Sequence, residues 1–415
     1  MAQECIPMNR KTVFFQLGLA LLATQALGQA PYKKTVKLAE TQAALLLKQT
    51  AKTAQQNPAA PGKPALVSPR TLTPGGELVL VPSRDWTSGF FPGYLWLLSE
   101  ASGQQKWQAA ARTYTANIEP EKTNATTHDM GFKVYCSFGQ GYRLTQDAAY
   151  RAVLLEAART LSTRFNPAVG ALRSWDHHRS TWGFPVIIDN MLNLELLFAA
   201  TRLSGDSSFY KVAVSHANTT LRHHFRPDYS SYHVVDYDTV TGQPVQKTTH
   251  QGYADESAWA RGQAWALYGY TMCYRETRNP AYLAQAEKVA NFILNHPNLP
   301  PDLVPYWDFN APNIPNEPRD ASAGAVIASG LYELSTFSAA YGVFYRRKAD
   351  QLMASMARSY MAKPGGSQGF LLLHSTGSKP ANSEIDVPLS YADYYFLEAL
   401  LRQRNLAAGR GLSVR

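Results

Sequence analysis

The chain has 415 residues, of which 45% are hydrophobic and 17% charged, so it can bury a sizeable core in one large domain or two ordinary ones. Its formal net charge of +9 favours an anionic partner, through electrostatic steering more than through affinity. The sequence has no extended Lys/Arg run, zinc-finger spacing or aromatic ribonucleoprotein motif, which favours an acidic polysaccharide over nucleic acid.

Residues 1–30 have the pattern of an export signal peptide. Asn9-Arg10-Lys11 supplies the positive charge, residues 12–27 supply the apolar run, and Gly28-Gln29-Ala30 offers small residues at the cleavage positions. The run is too short for a membrane span, and no Cys follows it to carry a lipid. We therefore expect residues 31–415 to be exported, to a bacterial periplasm, without a stable membrane anchor. Because Met8 is an alternative start, translation of residues 1–7 stays open.

Helical periodicity recurs along most of the remaining chain. The predicted helices are 35–54, 88–102, 104–120, 128–142, 147–164, 189–203, 207–224, 256–275, 280–295, 320–341, 343–362 and 388–403. Residues 56–82 are rich in Pro, Ser and Thr and predict an excursion before the main body. The longest other loop, 225–255, contains a predicted hairpin around Thr241-Gly242. No Pro/Gly linker divides the chain, so we expect a single domain over residues 31–415.

The candidate functional residues lie near the beginnings of alternate helices. Trp86, Asp129, Asp189, Arg261 and Asp320 fall at the second, fourth, sixth, eighth and tenth predicted helices. If the helices alternate between an outer and an inner ring, the even-numbered helices form one layer and their N-termini share a face. This pattern predicts an all-α fold with the architecture of an (α/α)6 barrel.

Asp129 and Asp189 each stand where a loop turns into an apolar helix. A buried carboxyl group is costly unless it is paired, hydrogen-bonded or protonated. Two such acids in one pocket would suit acid/base chemistry on a sugar. The alternative is that each residue caps its helix and complements the helix dipole.

The residues around these acids also have two interpretations each. Arg261 is either a clamp for a substrate carboxylate or one member of a structural ion pair. Trp86 and Trp175 either face the substrate or belong to the core. His233 lies in a loop, where a solvent-bonded surface histidine is the alternative to a functional one. Glu384 is a candidate cap of the last helix.

The cysteine and histidine spacings do not predict a metal site. Cys5 would leave with the signal peptide, whereas Cys136 and Cys273 are expected as buried free thiols, with one disulfide as the alternative. The sequence has no Cys pair at short spacing and no His-Glu-x-x-His motif. The adjacent pairs His177-His178 and His223-His224 point in different directions, so they are poor ligand pairs.

Five segments together resemble the unsaturated glucuronyl hydrolases of glycoside hydrolase family 88. They are Trp86-Thr87-Ser88-Gly89-Phe90, His128-Asp129-Met130-Gly131-Phe132, Ile188-Asp189-Asn190-Met191, Ser257-Ala258-Trp259-Ala260-Arg261-Gly262-Gln263-Ala264-Trp265 and Tyr391-Ala392-Asp393-Tyr394-Tyr395-Phe396-Leu397-Glu398. They occur in the family's order and span most of the chain. The resemblance implies an (α/α)6 barrel that uses no metal and no organic cofactor.

The resemblance also implies roles for individual residues. Asp189 matches the family's catalytic acid/base, and Asp129 matches the second acid of the site. The positions that match substrate-contacting residues are Trp86, His128, Trp175, His233, His250, Gln251, Trp259, Arg261 and Trp265. Ser375 and Ser378 lie in a region where some family members contact a sulfate group.

The activity implied by the resemblance is removal of a terminal 4,5-unsaturated uronic acid from oligosaccharides that polysaccharide lyases produce. The family hydrates the vinyl ether double bond instead of attacking the anomeric carbon. Two alternatives stay open, an unsaturated rhamnogalacturonyl hydrolase of the related family 105 and a non-catalytic periplasmic glycan-binding protein. The residues do not select a parent polysaccharide, a sulfation pattern or an oligomeric state.

Overall fold

The computed structural model describes residues 10–412, and it describes side chains from residue 32 onward. The predicted signal peptide therefore lies outside the described side chains, and residues 1–9 lie outside the described structure altogether. Cys5 belongs to that undescribed part. Export and cleavage after residue 30 stay predictions.

The described part of the chain contains the twelve helices that the periodicity predicts. They are α1 (Arg10–Gln56), α2 (Phe90–Ser102), α3 (Gln105–Ala116), α4 (Gln140–Thr145), α5 (Ala148–Ser162), α6 (Asn190–Ser204), α7 (Ser207–His223), α8 (Ala260–Thr277), α9 (Pro280–Asn295), α10 (Ala321–Leu334), α11 (Gly342–Ser359) and α12 (Ser390–Ala407). A π-helical segment, Gly131–Gly139, continues directly into α4.

The even-numbered helices form a closed inner ring. Helix α2 contacts the π-helical segment, which contacts α6, and the contacts continue through α8, α10 and α12 back to α2. The odd-numbered helices pack outside this ring, as α3 does on α2 and α9 on α8. Inner helices such as α10 are buried along their whole length, whereas outer helices bury one face only. The predicted (α/α)6 barrel is thereby confirmed.

Close approach at one end of the inner ring depends on glycine. A Cβ atom on Gly89 would lie 2.1 Å from the carbonyl oxygen of Lys133 in the π-helical segment. A Cβ atom on Gly131 would lie 2.5 Å from the Cα of Asn193 in α6. Any larger residue would push the beginnings of these helices apart, and this is the end that carries the candidate site.

Within residues 10–412, seven short strands form three antiparallel sheets. β1 (Leu66–Leu72) pairs with β2 (Leu78–Pro82), β3 (Phe165–Asn166) pairs with β4 (Ala171–Leu172), and β6 (Val234–Tyr237) lies between β5 (Pro185–Ile187) and β7 (Pro244–Thr248). The turn between β6 and β7 contains Gly242 at a φ of +71°. Asp238 stabilises this turn by accepting hydrogen bonds from the backbone N–H groups of Val240 and Thr241. The predicted hairpin around Thr241-Gly242 is confirmed.

The segment 56–82 is not the excursion that the sequence predicts, because its strand β1 is hydrogen-bonded to the barrel. Its strand β1 connects two inner helices, because Ser68 donates to the carbonyl of Ser88 and Thr71 donates to the carbonyl of Pro388. These carbonyls lie just before α2 and α12. The segment therefore supports the end of the ring where the candidate residues lie.

The tenth predicted helix ends well before the periodicity indicates. The segment 320–341 is helical only to Leu334. The hydroxyl groups of Ser335 and Thr336 donate to the carbonyls of Tyr332 and Glu333, respectively. Such local side-chain bonds offer the backbone an alternative to the helix and end it.

Cys136 and Cys273 are buried free thiols, as expected. Among the described residues, no group of three or more potential ligands is placed to hold a metal ion. Within the same part of the chain, no helix is both long and apolar enough to cross a membrane.

Candidate active site

The two candidate acids do not cap their helices. Asp189 occupies the position before α6, but its side chain makes no capping hydrogen bond. Asp129 precedes the π-helical segment, whose cap residue is Met130, and its carboxylate instead accepts a hydrogen bond from the hydroxyl of Thr127. By contrast, Asp320 caps α10 through the N–H groups of the first turn. The capping alternative therefore does not explain Asp129 and Asp189.

Asp129 is held in its charged form. Burial alone would raise its pKa, but nearby His128, the Thr127 hydroxyl and Lys133 outweigh burial and lower the pKa below its ordinary value. The Nε2 atom of His128 lies 3.2 Å from a carboxylate oxygen of Asp129. Lys133 is itself buried and bonded to Glu121 at 2.7 Å. Asp129 is thus a carboxylate at neutral pH.

Asp189 is shifted in the opposite direction. Burial raises its pKa to about 6, His128 and Arg261 oppose the rise, and the negative charge of Asp129 adds to it. The Oδ2 atom of Asp189 is buried without a hydrogen-bond partner. Two nearby acids whose environments push their pKa values apart are suited to different roles in one reaction. The raised pKa of Asp189 is suited to proton donation, and the lowered pKa of Asp129 is suited to a fixed negative charge.

His233 faces Asp189 in a defined tautomer. Its Nδ1 accepts hydrogen bonds from the backbone N–H groups of His250 and Gln251, at 3.1 and 3.2 Å. Burial lowers the pKa of His233 well below its ordinary value, so the ring is neutral and its proton must reside on Nε2. That atom lies 3.7 Å from Oδ2 of Asp189. A small movement would let His233 donate to the Asp189 carboxylate.

The guanidinium group of Arg261 is hydrogen-bonded to other groups of the protein. Its guanidinium group donates to Asp320 at 2.7 Å and to the carbonyls of Thr376 and Gly377 at 2.7 and 2.6 Å. Gln251 donates to the same Gly377 carbonyl at 3.1 Å. This geometry matches the structural ion pair and not a free cation. Contact of Arg261 with a substrate carboxylate stays a prediction.

Three aromatic candidates contact other candidate residues or residues of the family motifs. Trp259 lies against the ring of His233, with ring centres 4.5 Å apart, and the Arg261 guanidinium group lies 4.6 Å from the centre of the Trp259 ring. Trp175 lies 5.3 Å from the ring of His250. Trp86 is half-buried and lies 4.9 Å from the ring of Tyr391. Rings in such positions can hold the faces of sugar rings.

Two of the candidates lie beneath the surface. Trp265 has no exposed surface and packs between Phe132 and Tyr395. Ser375 also has none, whereas Ser378 is half-buried. A sugar could contact Trp265 or Ser375 only if the side chains above them moved. Their predicted contacts with substrate stay untested.

Several buried polar atoms around the acids have no hydrogen-bond partner in the described part of the chain. They are Oδ2 of Asp189, Nε2 of His233, Nε1 of Trp265, the hydroxyls of Ser375 and Ser378, and the hydroxyl of Tyr391. Buried polar groups are normally satisfied, so such a group of exceptions requires an explanation. A hydroxyl-rich and carboxylate-bearing ligand would supply the missing partners.

Sequence reasoning from single residues did not select three residues of this region. Tyr391 appeared only as part of a family motif, because an aromatic residue at the beginning of an apolar helix resembles a core residue. His177 stacks on Trp175 at 5.2 Å, and Trp182 lies 5.5 Å from the same ring. Only their proximity to Trp175 reveals them, and no local pattern does.

Comparison with known proteins identifies the family. No family model matches the chain. The unsaturated glucuronyl hydrolase of Formosa agariphila is 53% identical over 341 residues, which cover 81% of this chain and 85% of that protein. The chain belongs to the unsaturated glucuronyl hydrolases. It is therefore a glycoside hydrolase, and the resemblance to family 88 is confirmed.

Other relatives support this assignment. The unsaturated chondroitin disaccharide hydrolase of Streptococcus pyogenes is 31% identical, over 80% of this chain and 85% of that protein. The crystal structure of an unsaturated glucuronyl hydrolase specific for heparin has a TM-score of 0.83 and 46% identity, and the match covers 90% of this chain and 97% of that chain. The enzyme from Bacillus sp. GL1 has a TM-score of 0.82 at 29% identity, with 92% and 98% coverage.

Proposed function

We propose that this enzyme removes the terminal 4,5-unsaturated uronic acid from lyase-generated oligosaccharides by hydrating the double bond, with Asp189 as the acid/base. The observation that carries the proposal is the opposite pKa shift of Asp129 and Asp189 in an unsaturated glucuronyl hydrolase fold. Related structures hold dGlcA-Glc-Rha-Glc and dGlcA-GalNAc6S, at 29% and 27% identity, respectively. These ligands share the terminal dGlcA unit and differ in the rest.

The reaction needs one group that first donates and then accepts a proton. Protonated Asp189 donates its proton to C4 of the unsaturated ring, and positive charge develops at C5 and the ring oxygen. The Asp189 carboxylate then takes a proton from the water that adds at C5. The resulting C5 hemiketal opens to a C5 ketone and a C1 hemiacetal, and this hemiacetal collapses to an aldehyde as the glycosidic oxygen takes a proton and leaves with the rest of the oligosaccharide. A donor with a pKa near 6 is suited to both steps close to neutral pH.

The neighbouring residues support the two states of Asp189. The fixed charge of Asp129 favours the positive charge that develops on the sugar, and it disfavours ionisation of Asp189 before the substrate binds. After the proton has been donated, the Nε2–H group of His233 is close enough to approach the new Asp189 carboxylate. These contacts are the ones that a switch between acid and base requires.

The two alternatives receive less support. An unsaturated rhamnogalacturonyl hydrolase would share the fold, but 53% identity to an unsaturated glucuronyl hydrolase favours the first proposal. A non-catalytic binding protein has no need of a buried acid with a pKa of about 6, because burial of such a group costs stability.

The decisive experiment follows the absorbance of the double bond during incubation with unsaturated disaccharides from different lyases. Wild-type enzyme should remove the absorbance, and the Asp189→Asn variant should be slower by roughly 10²–10⁴-fold because it cannot donate the proton. Circular dichroism would establish that the variant is folded. Activity of a folded variant within a few-fold of wild type would exclude Asp189 as the acid/base. Binding of the sugars by wild-type protein without loss of absorbance would support the binding-protein alternative.

We also propose that the protein is exported and acts in the periplasm. The support is the charged, apolar and small-residue pattern of residues 1–30. N-terminal sequencing of protein recovered from a periplasmic extract should begin at about residue 31. A full-length N-terminus in the cytoplasmic fraction would contradict export.

A further inference from the structure

Arg70, in strand β1, makes three charged hydrogen bonds to residues on two other segments. Its Nε and Nη2 atoms donate to the two carboxylate oxygens of Glu384, at 2.6 and 2.8 Å. Its Nη1 atom donates to Asp85 at 2.8 Å. The three side chains are 22%, 10% and 19% exposed, respectively. A bidentate arginine pair shielded to this degree is among the stronger and more directional ion pairs.

On one side, Arg70 holds the turn that presents Trp86. The other carboxylate oxygen of Asp85 accepts hydrogen bonds from the N–H and the hydroxyl of Thr87, at 2.9 and 2.6 Å. Trp86 is therefore enclosed between two residues bound into one network. β1 supports the same turn through the bond from Ser68 to the carbonyl of Ser88.

On the other side, Arg70 holds the 375–387 hairpin, in which Ser375 pairs with Val387 and Ser378 pairs with Ser383. Glu384 has a φ of +55° in this hairpin, a conformation unfavourable for a glutamate unless other contacts maintain it. The side chain of Glu384 lies against Gly377, where an added Cβ would be 2.4 Å from Oε2. The carbonyl of Gly377 is the group that binds both Arg261 and Gln251.

We propose that Arg70 is a positioning residue for the reaction: by bridging Asp85 and Glu384 it fixes the Trp86 turn and the 375–387 hairpin relative to each other, and so fixes two sides of the substrate site. The inference rests on the proposed function, because the two sides carry residues expected to contact the sugar. Arg70 itself touches none of the reacting groups. Its charge is not among the principal charges acting on Asp189.

A positioning role predicts a specific kinetic signature. Loss of the bridge should let the two sides separate, so the substrate must restore their arrangement when it binds. The Michaelis constant should therefore rise while kcat changes less. Arg70→Met should raise KM on the order of tenfold, which corresponds to a loss of about 1.4 kcal/mol of binding free energy. Arg70→Lys should have an intermediate effect, because Lys keeps the charge but cannot form the bidentate pair.

The test compares Arg70→Met, Arg70→Lys and Glu384→Gln with a matched control, Arg143→Met. Arg143 bonds Glu100 at 2.6 Å with 17% and 14% side-chain exposure, but Glu100 lies near the C-terminal end of α2, away from Trp86. KM, kcat, Tm and the pH dependence of kcat are measured on one unsaturated disaccharide. The control should lose stability without a change in KM. Combining Arg70→Met with Glu384→Gln should add little to either single effect, because both remove one bridge.

Several results would overturn the proposal. One is an unchanged KM in the Arg70→Met variant, or in both Arg70→Lys and Glu384→Gln if Arg70→Met does not fold. Another is an equal rise in KM for Arg70→Met and Arg143→Met at equal loss of Tm. A third is a shift of the pH profile in the Arg70 variants, since that would mean that Arg70 acts on Asp189 directly.

The test also separates this inference from the proposed function. If wild-type enzyme turns over no unsaturated disaccharide, the proposed function fails, and Arg70 is tested by binding alone. Calorimetry then measures the affinity of dGlcA-GalNAc6S for the Asp189→Asn protein with and without Arg70→Met. Weaker binding supports the positioning role, and equal binding excludes it.

Discussion

At the scale of single residues, the proposed chemistry depends on the unequal environments of two carboxyl groups. Asp129 is surrounded by groups that favour its charge, whereas Asp189 is buried with one oxygen unpaired. The same residue type thus has a lowered pKa at one position and a raised pKa at the other. The raised pKa suits Asp189 to proton donation. It also means that the folded state is destabilised at high pH, where this buried carboxyl group must ionise.

That cost can be measured through the pH dependence of stability. The pKa of Asp189 rises from 3.8 to about 6 on folding, so the folded state binds the proton more tightly. The resulting loss of unfolding free energy is absent below pH 3.8 and grows between pH 3.8 and pH 6. Above pH 6 it is complete, at about 3 kcal/mol. Asp189→Asn should therefore raise the free energy of unfolding at pH 7–8 but not near pH 4. Urea titrations at these pH values test this, and a gain independent of pH would contradict it.

Asp129 should influence the pH–rate profile through Asp189. The proposed mechanism needs protonated Asp189, so it predicts that kcat/KM falls as the pH rises above about 6. Asp129→Asn removes a negative charge that raises the pKa of Asp189, so this basic limb should move to lower pH. Thr127→Val is the control, because it removes a hydrogen bond to Asp129 and keeps the charge. If the basic limb of the Asp129→Asn profile lies at the same pH as in the wild-type enzyme, the two acids do not interact.

At the scale of secondary-structure elements, the site depends on contacts between helix beginnings and the loops that precede them. Arg261 in α8 joins Asp320, which caps α10, to the backbone of the 375–387 hairpin before α12. Both charged side chains are essentially unexposed, at 1% and 0%. Three consecutive inner helices are therefore connected through one buried guanidinium group.

Arg261→Ala should destabilise the protein strongly. It would leave Asp320 as an uncompensated buried charge, which typically costs about 3–5 kcal/mol. Arg261→Lys should cost less but still lose stability, because Lys cannot make all three of these hydrogen bonds in one plane. Urea unfolding and KM should be measured together, with Asp320→Asn as the test of the same pair from the other side. Weakened substrate binding with unchanged unfolding free energy would instead identify Arg261 as a substrate clamp.

At the scale of the whole molecule, the two ends of the inner ring have different properties. The end formed by the helix beginnings carries the acids and the unpartnered polar atoms. Toward the other end, Arg275 and Arg402 pair with Glu195, Glu333 and Glu398. These buried ion pairs connect the inner helices α6, α8, α10 and α12 to one another.

The overall positive charge predicts a dependence on ionic strength. The net charge of +9 should speed the capture of anionic substrates at low salt, and salt should screen the effect over a Debye length of about 10 Å at 0.1 M. A longer unsaturated oligosaccharide carries more charge, so its kcat/KM should fall more steeply with added salt than that of a disaccharide. Values of kcat should change little. Equal slopes for both substrates would show that the net charge has no role in capture.

The sequence by itself determined the architecture and the approximate location of the candidate site. Helical periodicity is a local property, so it indicated the twelve helices, and the recurrence of special residues at even-numbered helices indicated the inner ring. Motifs around Asp129 and Asp189 selected the acids. The free state of Cys136 and Cys273 also followed from their apolar surroundings.

Only the tertiary structure determined the environment of these residues, meaning their burial, hydrogen bonds and charge pairing. Capping and catalysis give Asp189 the same local sequence pattern, and only the absence of a capping bond in the folded chain excludes the capping interpretation. The bond between Arg70 and Glu384 joins positions 314 apart in the chain, which no local pattern can indicate. The depth of Trp265 likewise depends on helices brought together by ring closure. Desolvation and charge pairing arise from neighbours that are distant in sequence, and for this reason the pKa values and the fixed position of Arg261 required the folded chain.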